Sequence, residues 1–508
     1  MTEHDVILAL LIAVPIIAAV VPLLLSLRTT ETGWYVAIVA AAVEAVLAAV
    51  VVRSVYAGNR LVHEVGGYPA PQGIELVVDG FSAPVIALIA VVSLGVLAFA
   101  YTGGPRRNSF YSAYLLLVGG LMGVSVTGDL FNMFVFLEIT GLATYALVAA
   151  DRSGKSAIAA LKYLILGTTG ASLFLIGVGY ALIATGTLNM VDLSEQLAGN
   201  YTSRVVIASF GFIVVGLSLK AAIFPLHTWQ PDAYTYAPDT VTTFISALAS
   251  TVAAYAIGRV ILTVFTVRFF EAVPLAQDVL LAFAGISIVA GSGLAAIQTE
   301  VKRMFAYSSV AQFGLVVAAF ALATPTSVLG GVIHLVGHGL IKGGLFAAAA
   351  ILASTHGART VGDYARLGYR SPVSAATLGI LAVALVGVPP SIGFLGKWYI
   401  GVGAVRAESW PIAVIVFLST LLTLLYVARL LERLYFAAPD ASESPAGAVA
   451  DGGDQAEPQP SADTRTVDGV SVGMLAVVVL TAIVVVALGF ATGWFETLLD
   501  PFFRGVFQ

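Results

Sequence analysis

Residues 327–354 read SVLGGVIHLVGHGLIKGGLFAAAAILAS, a run whose only titratable residues are His334, His338 and Lys342. The run exceeds the roughly 20 apolar residues that a helix needs to cross a bilayer. The three titratable residues recur every four positions, so a helix places them on one face within about 12 Å. A charge in hydrocarbon costs roughly 2.5 kcal/mol or more and therefore needs a partner, water or a function. This stretch predicts a membrane-spanning helix with a buried polar stripe.

The rest of the chain has a similar composition. Of its 508 residues, 59% are hydrophobic and 10% are charged, and the mean hydropathy is +0.97. No water-soluble domain of this size has such values. Lipid requires a backbone that satisfies its own hydrogen bonds, and long apolar runs favour helices over barrels. We therefore predict an all-α polytopic membrane protein.

About fourteen segments are apolar and long enough to cross a membrane. They cover residues 5–27, 34–55, 81–101, 111–128, 130–150, 157–186, 204–232, 238–266, 276–297, 304–324, 327–354, 372–403, 411–436 and 470–494. The acidic start of the chain leads directly into the first segment, so we expect a retained helix and not a secretory signal. Residues 438–469 are rich in Pro, Ala, Gly and Ser and carry seven acidic residues against one arginine. They predict a disordered cytoplasmic linker before the last helix.

The loops between these segments differ in positive charge. Loops after odd-numbered segments, leaving the linker aside, carry Arg28, Arg106, Arg107, Arg152, Lys155, Lys302, Arg303, Arg359, Arg366 and Arg370. Loops after even-numbered segments carry about half as many, namely Arg53, Arg60, Arg204, Arg268 and Arg406. Because positive loops stay in the cytoplasm, we expect the odd loops there and both termini outside the cell membrane.

Buried lysines mark the candidate site. Four of the six lysines lie inside or against strongly apolar stretches: Lys162, Lys220, Lys342 and Lys397. Lys220 precedes Pro225, which removes a backbone donor and breaks the helix in mid-segment. Lys397 follows the pair Pro389-Pro390 in a second apolar segment. Broken helices in matching positions of two halves are typical of transport sites, so the two segments look like corresponding parts of two internal repeats.

Purely structural roles stay open for some of the buried charges. Glu138 lies nine residues after Asp129, an expected helix cap, and is therefore deep in the membrane. It could be a glutamic acid that only hydrogen-bonds between helices, and Lys220 could snorkel from a structural kink. Lys162, one or two turns into its helix, either modulates the site or anchors the helix at the interface.

The sequence predicts no cofactor and no metal site. Cysteine is absent, which excludes disulfides and cysteine-bound metals or iron–sulfur clusters. Ligation of a metal or haem by His334 and His338 is a weaker alternative, because no acid lies on their stripe and Lys342 would repel a cation. A proton relay or a hydrogen-bonded structural pair fits them better. Any electron-transfer chemistry would belong to partner chains.

Five stretches resemble the antiporter-like subunits shared by respiratory complex I, membrane-bound hydrogenases and Mrp-type cation/proton antiporters. They are residues 128–138, 220–234, 302–310, 334–342 and 389–397, and the resemblance extends from about residue 75 to 436. The run Thr127 to Phe131 and the turn Gly186 to Met190 look most like the D-type chain of Mrp antiporters.

This resemblance implies about fourteen helices with two inverted five-helix repeats. The implied parts are helices 1–3 in residues 1–110, a first repeat in 111–266, a second in 267–437, the linker 438–469 and helix 14 in 470–508. The resemblance also implies an ion pair of Glu138 with Lys220 that modulates proton affinity. A hydrated axis would run through the His334–Lys342 helix to Lys397 as the terminal proton site. Candidate modulators are Lys162, His227, Ser250 and Thr251.

One position departs from the pattern of these subunits. They usually carry a lysine or histidine where this chain, aligned from the Ala237-Pro238 corner, has Thr251. The neighbouring Ser246 and Ser250 can hold water, like Thr251, but cannot titrate. Either a water chain bridges Lys220 to the His338 region, which we favour, or transfer is altered or lost in this half.

The sequence thus supports three functions. The first is the proton-translocating subunit of a multi-subunit Mrp-type Na⁺/H⁺ antiporter, with protons, Na⁺ and other membrane subunits as partners and no nucleic acid. The second is a proton-pumping subunit of a complex I-type NADH dehydrogenase or a membrane-bound hydrogenase. The third is a non-transporting scaffold. Whether the assembly is an enzyme depends on its other subunits.

Overall fold

The computed structural model describes residues 3–436, 466–467 and 470–507, so the predicted linker lies almost wholly outside it. The described helices are α1 (Glu3–Leu25), α2 (Gly33–Tyr56), α3 (Ala83–Gly103), α4 (Asn108–Val126), α5 (Leu130–Val148), α6 (Gly154–Thr185), α7 (Met190–Leu197), α8 (Arg204–Lys220), α9 (Gln230–Tyr236), α10 (Asp239–Arg259), α11 (Thr266–Ala272), α12 (Pro274–Ala296), α13 (Val301–Leu322), α14 (Pro325–His356), α15 (Leu367–Arg370), α16 (Pro372–Val386), α17 (Ile392–Arg406), α18 (Trp410–Tyr435), α19 (Val472–Ala487) and α20 (Thr492–Phe507). A π-helical turn, Val260–Phe265, joins α10 to α11. Two small antiparallel hairpins pair β1 (Leu61–Glu64) with β2 (Glu75–Val78), and β3 (Thr466–Val467) with β4 (Val470–Ser471).

The predicted class, an all-α polytopic membrane protein, is confirmed. In the described part of the chain, 12 helices are long and apolar enough to cross a membrane. The count of about fourteen is not confirmed. The other two predicted segments, 204–232 and 372–403, are each divided into two shorter helices, α8 with α9 and α16 with α17.

The order of helices is the same in the two predicted repeats. The first repeat contains α4, α5, α6, the broken pair α8–α9 and α10, and the second contains α12, α13, α14, the broken pair α16–α17 and α18. In each repeat the third helix, α6 or α14, has 32 residues. This common order supports the repeat hypothesis, although the domain boundaries and the inversion stay predictions.

Burial distinguishes an inner group of helices from an outer one. Helices α10, α13 and α14 are buried nearly throughout, whereas only a third or less of α1, α2 and α19 is buried. An outer helix meets lipid or another subunit, which explains why its exposed side chains are apolar. The polar stripe of the opening sequence therefore lies on one of the most deeply buried helices, α14.

The loops gather at two separate faces. Loops after predicted segments 3, 5, 7, 9 and 11 contribute to a cavity of about 550 Å³, which we call the odd-loop cavity. Loops after segments 2, 4, 6 and 8, together with α20, line a cavity of about 300 Å³, the even-loop cavity. Each cavity collects loops of one parity, as expected when successive segments cross the same slab in alternating directions.

Candidate functional site

An ion pair between buried Lys220 and partly exposed Glu138 joins α5 to α8. Helix α5 starts where Asp129 caps it, with its carboxylate accepting a hydrogen bond from the Asn132 backbone N–H at 2.7 Å. Two and a half turns later, Glu138 Oε1 lies 3.0 Å from Nζ of Lys220, the last residue of α8. The same ammonium group donates to the Leu137 carbonyl at 3.2 Å. The contact implied by the family resemblance is thus present.

Helix α8 ends at Lys220 because the chain cannot continue the helical hydrogen bonds through Pro225. In the break, Ala222 has φ of 59°, a left-handed conformation that non-glycine residues seldom adopt. Two carbonyls at the end of α8 accept hydrogen bonds from side chains. Trp229 Nε1 donates to the Leu219 carbonyl at 2.9 Å, and Ser250 Oγ donates to the Lys220 carbonyl at 3.3 Å.

Helix α10 presents Ser250 to the break, and Thr251 has another partner. Ser250 accepts a hydrogen bond from Gln230 Nε2 at 3.0 Å, besides donating to the end of α8. Thr251 is fully buried and donates to the Ala247 carbonyl of its own helix at 2.7 Å. The position of the missing base therefore carries a hydroxyl that is already satisfied. His227 is buried beside the Tyr307 ring of α13, with ring centroids 5.8 Å apart.

The polar stripe of α14 is buried against α13. Lys342 Nζ donates to the Phe305 carbonyl at 2.7 Å and to the Ser308 hydroxyl. One turn earlier, His338 meets the Phe313 ring edge-on, and within the described residues neither of its ring nitrogens has a hydrogen-bond partner.

A further turn along α14, His334 Nε2 lies 3.0 Å from Gln312 Oε1. The three predicted residues His334, His338 and Lys342 do share one face, and they are 4%, 2% and 0% exposed.

Lys397 extends from α17 to the end of α16. Its ammonium group donates to the carbonyls of Leu385 and Val386 at 3.2 and 2.9 Å. These carbonyls are free because α16 ends at Gly387, whose φ is 93°. The carbonyl end of a helix carries partial negative charge, so it is a natural partner for a buried lysine. Lys220 and Lys397 thus both lie at a helix break.

Helix α17 approaches α14 closely beside Lys397. A Cβ built on Gly396 would lie 2.6 Å from the Cβ of His334, so only glycine permits this approach. The residue before Lys397 therefore touches the first residue of the α14 stripe. The structure brings Lys342, His338, His334 and Lys397 into one buried region, and places the pair Glu138–Lys220 between α5 and α8.

Lys162 is paired with an acid that the sequence patterns do not single out. Its Nζ lies 2.7 Å from Asp232 Oδ2, and Arg303 Nη1 of α13 lies 3.0 Å from the other oxygen, Oδ1. Lys162 is therefore neither a solitary snorkelling lysine nor a direct partner of Glu138. Asp232 is at the edge of an apolar segment, and no spacing rule relates it to Lys162, 70 positions away.

Two other buried charges were missed although the criterion that found Glu138 applies to them. Arg259 of α10 makes bidentate hydrogen bonds to Asp79 at 2.7 and 2.8 Å, and donates to the Tyr255 hydroxyl. Glu44 of α2 is 1% exposed, and within the described residues its carboxyl oxygens have no hydrogen-bond partner. Both residues lie inside apolar segments, and a charged residue in an apolar segment is the pattern that also indicates Glu138.

Fold and site together define a polytopic helical membrane protein with titratable groups buried at two helix breaks. Residues 127–423 match the family described as NADH:quinone oxidoreductase/Mrp antiporter, transmembrane. This match covers more than half of the chain, so the chain belongs to that family.

Relatives from both branches of the family align over most of the chain. The chain is 39% identical over 440 residues to the N subunit of the NADH-quinone oxidoreductase of Desulforudis audaxviator, covering 86% of this chain and 87% of the relative. It is 30% identical over 400 residues to the D subunit of the Na⁺/H⁺ antiporter of Bacillus subtilis, covering 78% and 80%. A chain of the membrane-bound sulfane sulfur reductase, an archaeal respiratory membrane complex, superposes with a TM-score of 0.84 at 31% identity, covering 97% and 96%.

Proposed function

We propose that this chain is a proton-translocating subunit of a multi-subunit Mrp-type Na⁺/H⁺ antiporter, acting beside other membrane subunits. The observation that carries the proposal is the ion pair between Glu138 and Lys220, at 3.0 Å, on the end of a broken helix. Buried ionisable groups in membrane helices are costly, and they are typical of proton and ion pathways. Lys342 and Lys397 add two such groups in the second repeat.

The mechanism follows from the cost of an isolated charge. The ammonium form of Lys220 is stable while the Glu138 carboxylate is beside it, and it becomes unstable when that contact is lost. Separating the two side chains would therefore drive a proton towards neighbouring groups. Because the groups interact, the titration belongs to the set and not to a single residue.

In the second repeat, the proton would pass along α14. Lys342, His338 and His334 succeed one another at one-turn intervals, and His334 lies against the residue that precedes Lys397. Lys397 is the proposed terminal site. Between the two repeats, Ser250 is the hydroxyl beside Lys220, and water would have to complete the path to the α14 stripe.

The same axis suits a redox-driven assembly, which is the second candidate. The 39% identity to the N subunit of an NADH-quinone oxidoreductase favours it. The 30% identity to the D subunit of an Na⁺/H⁺ antiporter, together with the Mrp-like runs at residues 127–131 and 186–190, favours the first. In both assemblies this chain would conduct protons, and partner subunits would supply the driving force.

The placement in the membrane is also part of the proposal. Odd loops, which carry about twice the positive charge of even loops, would face the cytoplasm, and both termini would face outward from the cell membrane. The odd-loop cavity would then be the cytoplasmic opening.

Co-purification of the native assembly separates the two candidates. The subunit is tagged in its own cells, the complex is purified gently, and every accompanying chain is identified by mass spectrometry. Membrane subunits alone, with sodium-driven proton flux in vesicles, support the antiporter. Iron–sulfur or flavin subunits identify the redox pump. Unchanged proton flux in Glu138→Gln and Lys220→Met assemblies would refute proton translocation by this chain in either case.

A further inference from the structure

Two neighbouring basic residues of α13, Lys302 and Arg303, form ion pairs with acids of the first predicted repeat. Arg303 contacts Asp232 of α9, and Lys302 forms an ion pair with Asp239, the first residue of α10. The two acids lie on either side of the Ala237-Pro238 corner. The second repeat thus holds both sides of the turn that follows the broken helix of the first.

Of the two acids, only Asp232 lies on α9, the short helix that hydrogen bonds connect to the end of α8 at Lys220. Asp232 belongs to the seven-residue helix α9. The residue before that helix, Trp229, donates to the Leu219 carbonyl, and its first residue, Gln230, donates to Ser250, which in turn donates to the Lys220 carbonyl. Hydrogen bonds therefore connect α9 to the last two residues of α8.

Asp232 also lies between two cations that belong to different repeats. Lys162 of α6 contacts one carboxylate oxygen, and Arg303 of α13 contacts the other. The Asp232 side chain is 22% exposed, so the triad is partly shielded from solvent. A single carboxylate between two cations holds both, and a shift of either cation changes the force on α9.

We infer that Asp232 is a positioning residue that couples the second repeat to the Lys220–Glu138 pair through α9. A displacement of α13 would move Arg303, release or tighten Asp232, and shift the end of α8 where Lys220 stands. The inference rests on the proposed role of Lys220 in proton translocation. It adds the connection by which the two repeats would act together.

The adjacent pair Lys302–Asp239 provides a matched control. It crosses the same boundary, one residue away on α13, but Asp239 is more exposed, at 43%. Both residues border the odd-loop cavity, and Asp239 stands about three turns of α10 away from Ser250. A neutral residue here removes an inter-repeat ion pair and leaves the contacts of α9 in place.

The test compares Asp232→Asn with Asp239→Asn, and Arg303→Gln with Lys302→Gln, in the assembled complex. Proton movement is measured in everted vesicles and divided by the amount of complex seen on native gels. We expect at least a tenfold loss for Asp232→Asn and Arg303→Gln, and less than a twofold loss for the control variants. Equal losses in both pairs, or none in either, would overturn the inference.

A double variant distinguishes loss of coupling from simple charge repulsion. Asp232→Asn leaves the cations Lys162 and Arg303 facing each other, and adding Lys162→Gln removes that repulsion. The link from α13 to α9 does not return, because Arg303 still lacks its acid, so we expect the double variant to stay at least tenfold impaired. Recovery to within about threefold would show that the single variant fails through repulsion alone, and would contradict the inference.

Two further measurements apply if a variant does not assemble or if the proposed function itself is wrong. If Asp232→Asn does not assemble, Arg303→Lys retains the charge but loses the planar fork. It should assemble and lose twofold to fivefold of the activity, and an unchanged rate would reject the inference. If Glu138→Gln is also fully active, the proposed function itself fails. If Glu138→Gln is inactive and Asp232→Asn is not, only the coupling role fails.

Discussion

The ammonium group of Lys397 is held by backbone carbonyls, with no carboxylate among its hydrogen-bond partners in the described chain. Such a lysine can lose its proton without leaving a partner anion in the membrane. Replacement by methionine keeps most of the volume and removes the titration. We expect Lys397→Met to reduce proton translocation at least tenfold while assembly is retained. The control is Lys155→Met, an exposed lysine, and wild-type flux in Lys397→Met vesicles would exclude a terminal site there.

Ser250 and Thr251 are neighbours with different expected effects. Ser250 connects Gln230 to the Lys220 carbonyl, whereas Thr251 donates to its own helix. Ser250→Ala should therefore lower proton flux several-fold, and Thr251→Val should change it less than twofold. Flux per assembled complex is the measurement. A larger effect of Thr251→Val would show that its hydroxyl, and not that of Ser250, serves the path.

The spacing of residues along one helix predicted which side chains share a face. It could not predict which residues of other helices they contact. The intervals of four predicted the buried stripe of α14, because they depend only on helical geometry. The partners of Lys162 and Lys397 could not be predicted in the same way. Asp232 is 70 residues from Lys162 in sequence, and the Lys397 partners are carbonyls that exist as acceptors only because α16 ends there.

At the scale of elements, the end of α16 requires a left-handed backbone conformation at one glycine. Gly387 has a positive φ, and a Cβ there would lie 3.1 Å from the Cδ of Lys397. Gly186, which ends α6, has a φ of 79°, and a Cβ there would meet no atom of the described residues within 4 Å. An alanine at either position would therefore be strained by roughly 1–2 kcal/mol. Only an alanine at position 387 would also press against the Lys397 side chain.

Gly387→Ala and Gly186→Ala should accordingly destabilise the complex by similar amounts. Only Gly387→Ala should also reduce proton flux, because it displaces the Lys397 side chain. Thermal unfolding and vesicle flux are measured on the same preparations. Equal flux in the two variants would show that the Lys397 position tolerates the shift.

Arg259 connects α10 to several other parts of the chain. Arg259 binds Asp79, which precedes α3, and lies over the rings of Phe81 and of Phe502 in α20. Removing one partner of a buried ion pair typically costs about 3–5 kcal/mol. Arg259→Leu should therefore lower the unfolding temperature markedly. The exposed pair of Arg504 with Asp500 is the control, because Arg504→Leu should cost less than about 1 kcal/mol.

The same pair predicts a pH dependence of stability. Burial raises the pKa of Asp79, but the Arg259 guanidinium and the backbone N–H groups of Phe81 and Ser82 outweigh it and hold the pKa below its usual 3.8. A carboxyl with a lowered pKa stabilises the fold fully above its unfolded pKa and loses that contribution as the pH falls below it. The stability difference between wild type and Asp79→Asn should therefore be constant near neutrality and shrink below about pH 4.

At the scale of the whole molecule, successive segments run in alternating directions, so odd and even loops gather at opposite faces. Segment lengths and hydropathy predicted where the chain crosses, and loop charges predicted which side each loop faces. Neither could predict that loops of one parity meet around a shared cavity, since that requires helix packing. The odd-loop cavity contains Lys155, Lys302 and Arg359, which is consistent with a cytoplasmic face.

The orientation can be tested directly because the chain has no cysteine. Single cysteines are introduced at exposed loop positions, Asn59 after the second segment and Arg106 after the third. A membrane-impermeant maleimide applied to intact cells should label Asn59→Cys and leave Arg106→Cys unlabelled, and everted vesicles should show the reverse. Labelling of Arg106→Cys in intact cells would invert the assignment. The odd-loop cavity, with Asp239 and Lys302 at its edge, would then open outward, and the even-loop cavity would become the cytoplasmic opening.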